Sequence, residues 1–563
     1  MSTHWRELVA DKRRRQNESI PKEWLITTPP QSLLDVTKVP EQCGLLSAKE
    51  LDITNTVDVA VLLNKLATSQ WSAVEVTTAF CKRAIIAHQL VNCLTEIFVD
   101  RALARAAELD EHLKTTGKVV GPLHGLPISL KDQLPIKGLE TTMGYVSWIG
   151  KYATRDAVLV EILYDLGAVP FVRTNVPQTL MWGETYNNVY GRTLNPHNRT
   201  LTCGGSSGGE GALVAMKGSP LGVGSDIGGS IRIPSYMCGT YGFRPSYGRI
   251  PYAGAVNSME GQDSVLSVLG PLSNSLSGIK TFMQAVISAE PWLKDSLARR
   301  KKWDNDEYAL VEHGSGKQLC FAIMWNDGQV IPHPPIIRAL EMTKAALLAA
   351  GHKVIDWQPL QHRELCRLVY LIWTSGSGED YKAVTAATGE PVLTSMDIVD
   401  ENSEPTGTLN TFLPEQQHVS AYQLWQVQKE KTALRQKHLE HWNSTVQSTG
   451  TGRPVDAIIA PVAPYTAVPH GMNKNRRMTS STKGMRIPMS YVIALSSIRF
   501  REFIRKANTA SFYLPDDPAT FSDAPVGLQL VGRSQEEEAV LAMTEIVDSA
   551  LSQYKTSTSA SRL

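Results

Sequence analysis

The sequence is short of paired cysteines and shows no excess of either charge. Its seven cysteines are scattered over 563 residues, and no two of them form a Cys-x-x-Cys pair. Disulfide scaffolds and structural zinc sites need closely spaced pairs, so we expect reduced thiols and no bound metal. With 56 Lys and Arg residues against 55 Asp and Glu residues, the charge balance argues against binding to nucleic acid or to an acidic membrane. The expected partner is a small neutral molecule.

Signals for secretion and membrane insertion are missing as well. The polar N-terminal residues lack the apolar core of a secretory signal, and no run reaches the roughly 18 apolar residues of a membrane span. A cytoplasmic protein is the expectation. The alternative location is the peroxisome, because the final tripeptide Ser561-Arg562-Leu563 resembles a Ser-Lys-Leu address in which arginine keeps the charge of lysine. Residues 555–560 are small and mostly polar, so we expect them to leave this tripeptide exposed.

Glycine, by contrast, is concentrated in one stretch. Ten of the 27 residues from 204 to 230 are glycine, against about 7% on average. Because glycine weakens helices and strands, this density indicates positive φ angles or a close approach of the backbone to a ligand or another segment. Two glycine-flanked turns carry serine, one at Ser206 and Ser207 and the other at Ser230, 24 residues after Ser206.

Common glycine-rich motifs fit these turns poorly. A phosphate-binding loop needs a lysine directly after its last glycine, and neither turn has one. A dinucleotide fingerprint fails because Ile227 stands at its third glycine. Residues 205–209 match G-x-S-x-G around Ser207, so Ser207 as the nucleophile of an α/β-hydrolase is an alternative. That motif follows a buried strand, however, and residues 195–203 are polar and contain Pro196. A flexible loop without chemistry is the remaining alternative.

An upstream lysine changes the interpretation of both turns. The strand-like run HGLPISLKD at 124–132 contains one lysine, Lys131. Together with Ser206 and Ser230, it resembles the amidase signature family, whose members share a Ser-Ser-Lys triad. The resemblance covers most of the chain and includes GGSSGGEGA at 204–212 and GSDIGGSIRIP at 224–234. It is closest to the fungal acetamidase group, through GPLHGLPISLKDQ at 121–133 and VPQTLM at 176–181.

The chemistry of an amide hydrolase can be assigned to these residues. Attack on an amide carbonyl needs an activated nucleophile and a base, and Ser230 and Lys131 are the candidates. The pKa of Lys131, near 10.4 in water, must fall by roughly three units before a neutral amine is available at neutral pH, and burial is the expected cause. The resemblance implies that Ser206 relays the proton between them and that the peptide bond before Ser206 is cis.

Backbone groups of the second turn are the expected oxyanion hole, because unpaired N–H groups at a helix start favour negative charge. The predicted donors are the N–H groups of Ile227, Gly228, Gly229 and Ser230. Asp226 and Arg232 are interpreted as a helix cap and its ion-pair partner. Ser207 is expected to hold the turn by hydrogen bonds. A helix over 231–238 is predicted if Pro234 falls in its first turn.

The acyl pocket is assigned by resemblance alone. Leu180 and Met181 align with the substrate-facing loop of the family, which implies that they line the pocket, and a plain core role is the alternative. Loops at 375–378 and 401–408 are expected to form the pocket wall.

The predicted fold is α/β, a mixed central sheet flanked by helices in the amidase signature arrangement. Strands at 127–130, 168–172 and 221–224 alternate with helices at 156–166 and 207–216. Three regions are expected: an N-terminal helical extension over 1–70, the amidase signature domain over 71–550 and a flexible tail over 551–563.

Residues 473–512 depart from the family pattern. Nine Lys or Arg residues lie between 474 and 506, which favours a solvated segment over a core strand. This casts doubt on local folding and on the shape of the acyl pocket.

The resulting hypothesis is a serine amidohydrolase for linear amides that uses a small-molecule amide substrate and no cofactor, with a homodimer left open. Three alternatives remain. The first alternative is a hydrolase of long-chain N-acyl amides or esters. The second is an inactive scaffold, if residues 473–512 disrupt the core. The third is the amidase subunit of a tRNA-dependent amidotransferase.

Overall fold

The structure is a computed structural model that describes residues 4–376, 378–396, 419–472, 495–500 and 518–560. Within these residues eleven strands form one sheet and two more form a short hairpin. The strands are β1 Leu94–Ile97, β2 Pro127–Lys131, β3 Val169–Thr174, β4 Tyr186–Asn187, β5 Gly191–Arg192, β6 Leu221–Asp226, β7 Tyr241–Arg244, β8 Val268–Ser273, β9 Cys320–Ile323, β10 Lys353–Asp356, β11 Ala457–Pro461, β12 Leu495–Phe500 and β13 Val526–Val531.

Seventeen α-helices lie in the described part of the chain. They are α1 His4–Glu18, α2 Val39–Gln42, α3 Ala48–Asn55, α4 Val59–Ala67, α5 Ala73–Val91, α6 Val99–Thr116, α7 Val158–Asp165, α8 Gly208–Ala215, α9 Arg232–Cys238, α10 Leu276–Ser288, α11 Asn305–Tyr308, α12 Pro334–Ala349, α13 His362–Thr374, α14 Glu379–Ala386, α15 Ala421–Ser444, α16 Val446–Thr449 and α17 Glu537–Ala560. The first four precede every strand of the described chain.

The large sheet is mixed, as predicted. Its strand order is β1-β3-β2-β6-β8-β7-β12-β13-β11-β9-β10. Strand β2 is parallel to β3 and β6, whereas β6 and β8 are antiparallel. All residues of β2, β3, β6 and β8 are buried, and α8 packs against each of these strands. The ends of β2 and β6 therefore lie inside the molecule, where water is excluded.

Helices around this sheet begin at local signals in the sequence. Ser72 caps α5 with a capping box, accepting from the N–H of Glu75 while the Glu75 carboxylate accepts from the N–H of Ser72. The helix predicted at 231–238 is α9, and Pro234 lies in its first turn, where a missing N–H costs no hydrogen bond.

One expectation about the C-terminal region was wrong where the structure describes it. Residues 495–500, which we expected to be solvated, form β12 between β7 and β13. A strand with a neighbour on each side forms backbone hydrogen bonds to both, which favours its place in the sheet. The charged residues around it in the sequence give no sign of these hydrogen bonds. Residues 551–560 continue α17, and the flexibility expected of the tail stays a prediction. The loop expected at 401–408 lies outside the described residues.

Candidate active site

Lys131 is the last residue of β2, and its side chain is fully buried. Its Nζ donates to Ser206 Oγ at 2.7 Å and to Ser225 Oγ at 2.8 Å. Burial lowers the pKa of Lys131 to about 7, while the charges of Asp226 and Glu210 act in the opposite direction. A substantial fraction of this lysine is therefore neutral at neutral pH and can accept a proton.

Ser206 lies just before α8, in a turn packed too closely for a side chain at the preceding residue, Gly205. The peptide bond between Gly205 and Ser206 is cis. A Cβ on Gly205 would lie 2.5 Å from the carbonyl oxygen of Trp182. This close approach explains part of the glycine density of the sequence.

The second serine turn is held by Asp226, the last residue of β6. Its carboxylate accepts from the N–H groups of Gly229 and Ile231 at 2.7 and 3.1 Å and from Arg232 Nε at 3.0 Å. Burial opposes ionisation of Asp226, but Arg232, Arg244 and the Gly229 N–H together hold its pKa well below the usual range. The interpretation of Asp226 and Arg232 as cap and ion pair is confirmed.

The same contact changes the predicted set of oxyanion donors. Because the N–H of Gly229 is used by Asp226, three candidate donors remain: Ile227, Gly228 and Ser230. Their N–H groups donate no hydrogen bond to another described residue, so they are available to an oxyanion. Ile227 and Gly228 are half-buried. Gly229 still shapes the turn, since its φ is +124° and a Cβ there would lie 2.7 Å from Ile233 Cδ1.

Ser207 joins the two serine turns. Its N–H donates to the carbonyl oxygen of Ser230 at 3.1 Å, and its hydroxyl contacts both the N–H and the carbonyl oxygen of Ser225 at 3.3 Å. Its side chain is fully buried, whereas Ser230 is 8% exposed. Ser207 therefore holds the turn, as expected, and the geometry disfavours it as a nucleophile.

Ser225 and Gln133 complete the surroundings of the lysine and were not singled out from the sequence. Ser225 Oγ accepts from Lys131 and donates to Gln133 Oε1 at 2.6 Å. Gln133 follows β2 by two residues and Ser225 is the penultimate residue of β6. These strands are adjacent and parallel, and that adjacency was the available signal.

Leu180 and Met181, the residues predicted to line the acyl pocket, differ in their surroundings. Leu180, 4% exposed, ends the 3₁₀ turn Gln178–Leu180 and packs with Met143, Tyr145 and Val176. This contact favours a core role for Leu180. Met181 is half-buried, and the next residue, Trp182, is the one whose carbonyl approaches Gly205. The pocket role of Met181 stays a prediction.

Metal ligands and membrane spans were also sought in the described part of the chain. No cluster of three or more His, Cys, Asp or Glu side chains there could hold a metal ion. None of the helices described is both long and apolar enough to cross a membrane.

Comparisons with known proteins decide the family. The sequence model of the family described as Amidase matches residues 75–541. The chain belongs to the amidase family. Acetamidase of Aspergillus oryzae is 42% identical over 98% of this chain and 99% of its own length. Acetamidase of Emericella nidulans is 41% identical over the same shares. A solved structure of fatty acid amide hydrolase matches 97% of this amidase and 95% of its own chain, with a TM-score of 0.82 and 32% identity. These matches support a hydrolase acting on amides.

Proposed function

We propose that this amidase hydrolyses a linear carboxamide to a carboxylic acid and ammonia or an amine through a Ser-Ser-Lys triad. The observation that carries the proposal is the buried 2.7 Å hydrogen bond between Lys131 Nζ and Ser206 Oγ. It joins a lysine whose pKa is lowered by burial to about 7 to the first serine turn. In that turn the N–H of Ser207 donates to the carbonyl oxygen of Ser230 in the second turn. Such a lysine can act as a general base without histidine.

The first half of the reaction forms an acyl-enzyme. Ser230 Oγ attacks the carbonyl carbon as its proton passes to Ser206 Oγ, and the proton of Ser206 passes to neutral Lys131. The carbonyl oxygen becomes an oxyanion, which the N–H groups of Ile227, Gly228 and Ser230 stabilise. When the C–N bond breaks, the proton returns through Ser206 to the leaving nitrogen, which departs as ammonia or an amine.

The second half releases the acid. Water attacks the Ser230 ester and gives its proton to Lys131 through Ser206. When the C–O bond of the second tetrahedral intermediate breaks, the proton on Lys131 returns through Ser206 to Ser230 Oγ. This step releases the carboxylic acid and restores the Ser230 hydroxyl and the neutral lysine. Neither half uses a cofactor, and the chain supplies every proton carrier.

A short or simple amide is the proposed substrate. Two relatives over nearly the whole length are named acetamidases, and this supports a small acyl group. Fatty acid amide hydrolase shares the fold at 32% identity, so fold alone does not select long chains. Relative kcat/KM on acetamide, benzamide and a long-chain primary amide tests the choice. A preference for the long-chain amide would reject it.

A serine-directed fluorophosphonate tests the nucleophile directly. Covalent labelling followed by peptide mass spectrometry is expected to place the adduct on Ser230. The Ser230→Ala variant should not be labelled, whereas Ser207→Ala should be. Absence of labelling in the folded wild-type chain would instead favour an inactive scaffold.

The proposed location is the cytoplasm, with peroxisomal import as the alternative that the final tripeptide supports. The last twelve residues fused to a fluorescent protein separate the two. Diffuse fluorescence in cells with working peroxisomes rejects import, and puncta that disappear on deletion of Leu563 support it. A homodimer is a further alternative to a monomer, and light scattering distinguishes them.

A further inference from the structure

Glu210 is a fully buried carboxyl group in the first turn of α8 that the proposed mechanism does not use. Ser129 Oγ donates to its Oε2 at 2.6 Å, and Thr174 Oγ1 donates to its Oε1 at 2.8 Å. Opposite the carboxylate, a Cβ on Gly222 would lie 1.9 Å from Oε2. Only glycine at this position of β6 leaves room for the carboxylate to rest on the sheet.

The strand register places this carboxylate on the same face as Lys131. Ser129 and Lys131 are two residues apart in β2, so their side chains point to the same face. Thr174 is the residue of β3 that pairs with Lys131. Both hydroxyls that bind Glu210 are therefore direct neighbours of the lysine on the sheet.

The carboxylate has one cation within electrostatic reach. Glu210 forms no salt bridge among the described residues, and Lys131 is the positive charge that acts on it. Cys93 also faces Glu210, but burial raises the pKa of its thiol well above the usual value, so it stays neutral. The 2.6 Å bond from Ser129 has the length of a hydroxyl donating to an ionised carboxylate, about 2.5 to 2.7 Å.

The other charges near Lys131 are already balanced. Asp226 acts on the lysine from the end of β6, but Arg232 and Arg244 neutralise it at 3.0 and 3.5 Å. Glu210 is thus the charge near the lysine that lacks another cationic partner in the described chain.

We propose that Glu210 is a positioning residue for proton transfer: its buried carboxylate stabilises the protonated form of Lys131 and so fixes the pH at which the lysine becomes a base. This proposal rests on the proposed role of Lys131 as the base. Burial raises the pKa of Glu210 to about 7, so both groups titrate in the same pH range and influence each other.

The experiment compares the acid limb of kcat/KM in the wild type and in Glu210→Gln. Glutamine keeps the size of the side chain and removes its charge, and the hydroxyls of Ser129 and Thr174 can rotate to bind the amide. The limb is expected to move to lower pH by roughly 0.5 to 1 unit, because the ammonium form of Lys131 loses a favourable charge. The rate of fluorophosphonate labelling against pH should show the same shift.

Glu307→Gln is the matched control. Burial also raises the pKa of Glu307 to about 7, and Lys301 Nζ contacts it at 2.6 Å, yet it is not among the charges that act on Lys131. Its acid limb should coincide with that of the wild type.

The outcomes separate this proposal from the proposed function. An acid limb that is unchanged, or shifted to higher pH, in folded Glu210→Gln overturns the role of Glu210. Loss of activity in Lys131→Ala would at the same time still support the proposed triad. If Lys131→Ala keeps its activity, the triad itself is wrong. Should Glu210→Gln fail to fold, Thr174→Val serves instead. It removes one donor to the carboxylate, which disfavours the ionised form and should give a smaller shift in the same direction, and no shift overturns the proposal.

Discussion

Lys131 Nζ lies 2.7 Å from Ser206 Oγ and has no carboxylate in direct contact among the described residues. Its two hydrogen-bond acceptors are the neutral hydroxyls of Ser206 and Ser225. Burial therefore outweighs the attraction of the more distant carboxylates, and the pKa of the lysine falls to about 7. A base of this kind sets clear expectations for the pH dependence, the effects of mutations and the stability of the protein.

The first prediction concerns pH. Neutral Lys131 is the active form, so kcat/KM should rise with pH through a midpoint near 7, the pKa of the lysine, and stay high above it. The measurement is the pH profile in an assay where chemistry limits the rate. A rate that is flat from about pH 5 to 10 would contradict a titrating lysine base.

The second prediction concerns the triad. Ser230→Ala and Lys131→Ala should each lower kcat/KM on the order of 10³-fold or more, and Ser206→Ala should also be severe. Ser207→Ala should cost less, because that hydroxyl bonds only the backbone of Ser225. Steady-state kinetics on one amide is sufficient. A larger loss in Ser207→Ala than in Ser230→Ala would point to the G-x-S-x-G alternative.

Much of the fold could be predicted because its signals are local. Short apolar runs predicted β2, β3 and β6, and the helices predicted between them at 156–166 and 207–216 are α7 and α8. The strand β12 could not be predicted, because its hydrogen bonds are to β7 and β13, and neither strand is adjacent to it in the sequence. Local charge alone suggested solvent.

The motifs predicted the contact between Lys131 and Ser206, whereas contacts that depend on strand register were not predicted. Lys131 and Ser206 came from recognisable sequences. Ser225 contacts the lysine, and Glu210 lies on Ser129 and Thr174 beside it, because β2, β3 and β6 align in one particular register. The commitment of the Gly229 N–H to Asp226 likewise needs the turn geometry.

The third prediction concerns Asp226. Replacing it with asparagine leaves Arg232 and Arg244 buried without their shared counter-charge, which should lower the free energy of unfolding by about 3 kcal/mol. The effect is measured by urea denaturation at neutral pH. Asp226 is ionised in the folded state to well below pH 3.8, so its contribution is present above that pH and is lost only as the pH falls through its lower folded pKa.

The control is Asp11→Asn on α1, where the carboxylate contacts Arg14 and Arg15 at the surface. Solvent screens such pairs, so the urea midpoint should not change measurably. Equal effects of the two variants would contradict the buried role of Asp226.

The last prediction is that Lys131→Met stabilises the protein while abolishing its activity. A pKa lowered from 10.5 to about 7 means that the folded state disfavours the ammonium form, by roughly 5 kcal/mol at 1.36 kcal/mol per unit. Methionine removes this cost but loses two hydrogen bonds to serine hydroxyls, so a net gain of about 2 kcal/mol is expected at pH 6.

The pH dependence of that gain identifies its cause. Between pH 7 and 10 unfolded wild type binds more protons than the folded state, so wild-type stability rises with pH and the advantage of Lys131→Met should shrink. Urea denaturation at pH 6, 8 and 9.5 follows this trend. Lys114→Met, which removes a side chain that is 78% exposed, should show no such convergence. A gain in Lys131→Met that does not vary with pH would come from better packing, and the lysine would then not be the group whose charge the fold disfavours.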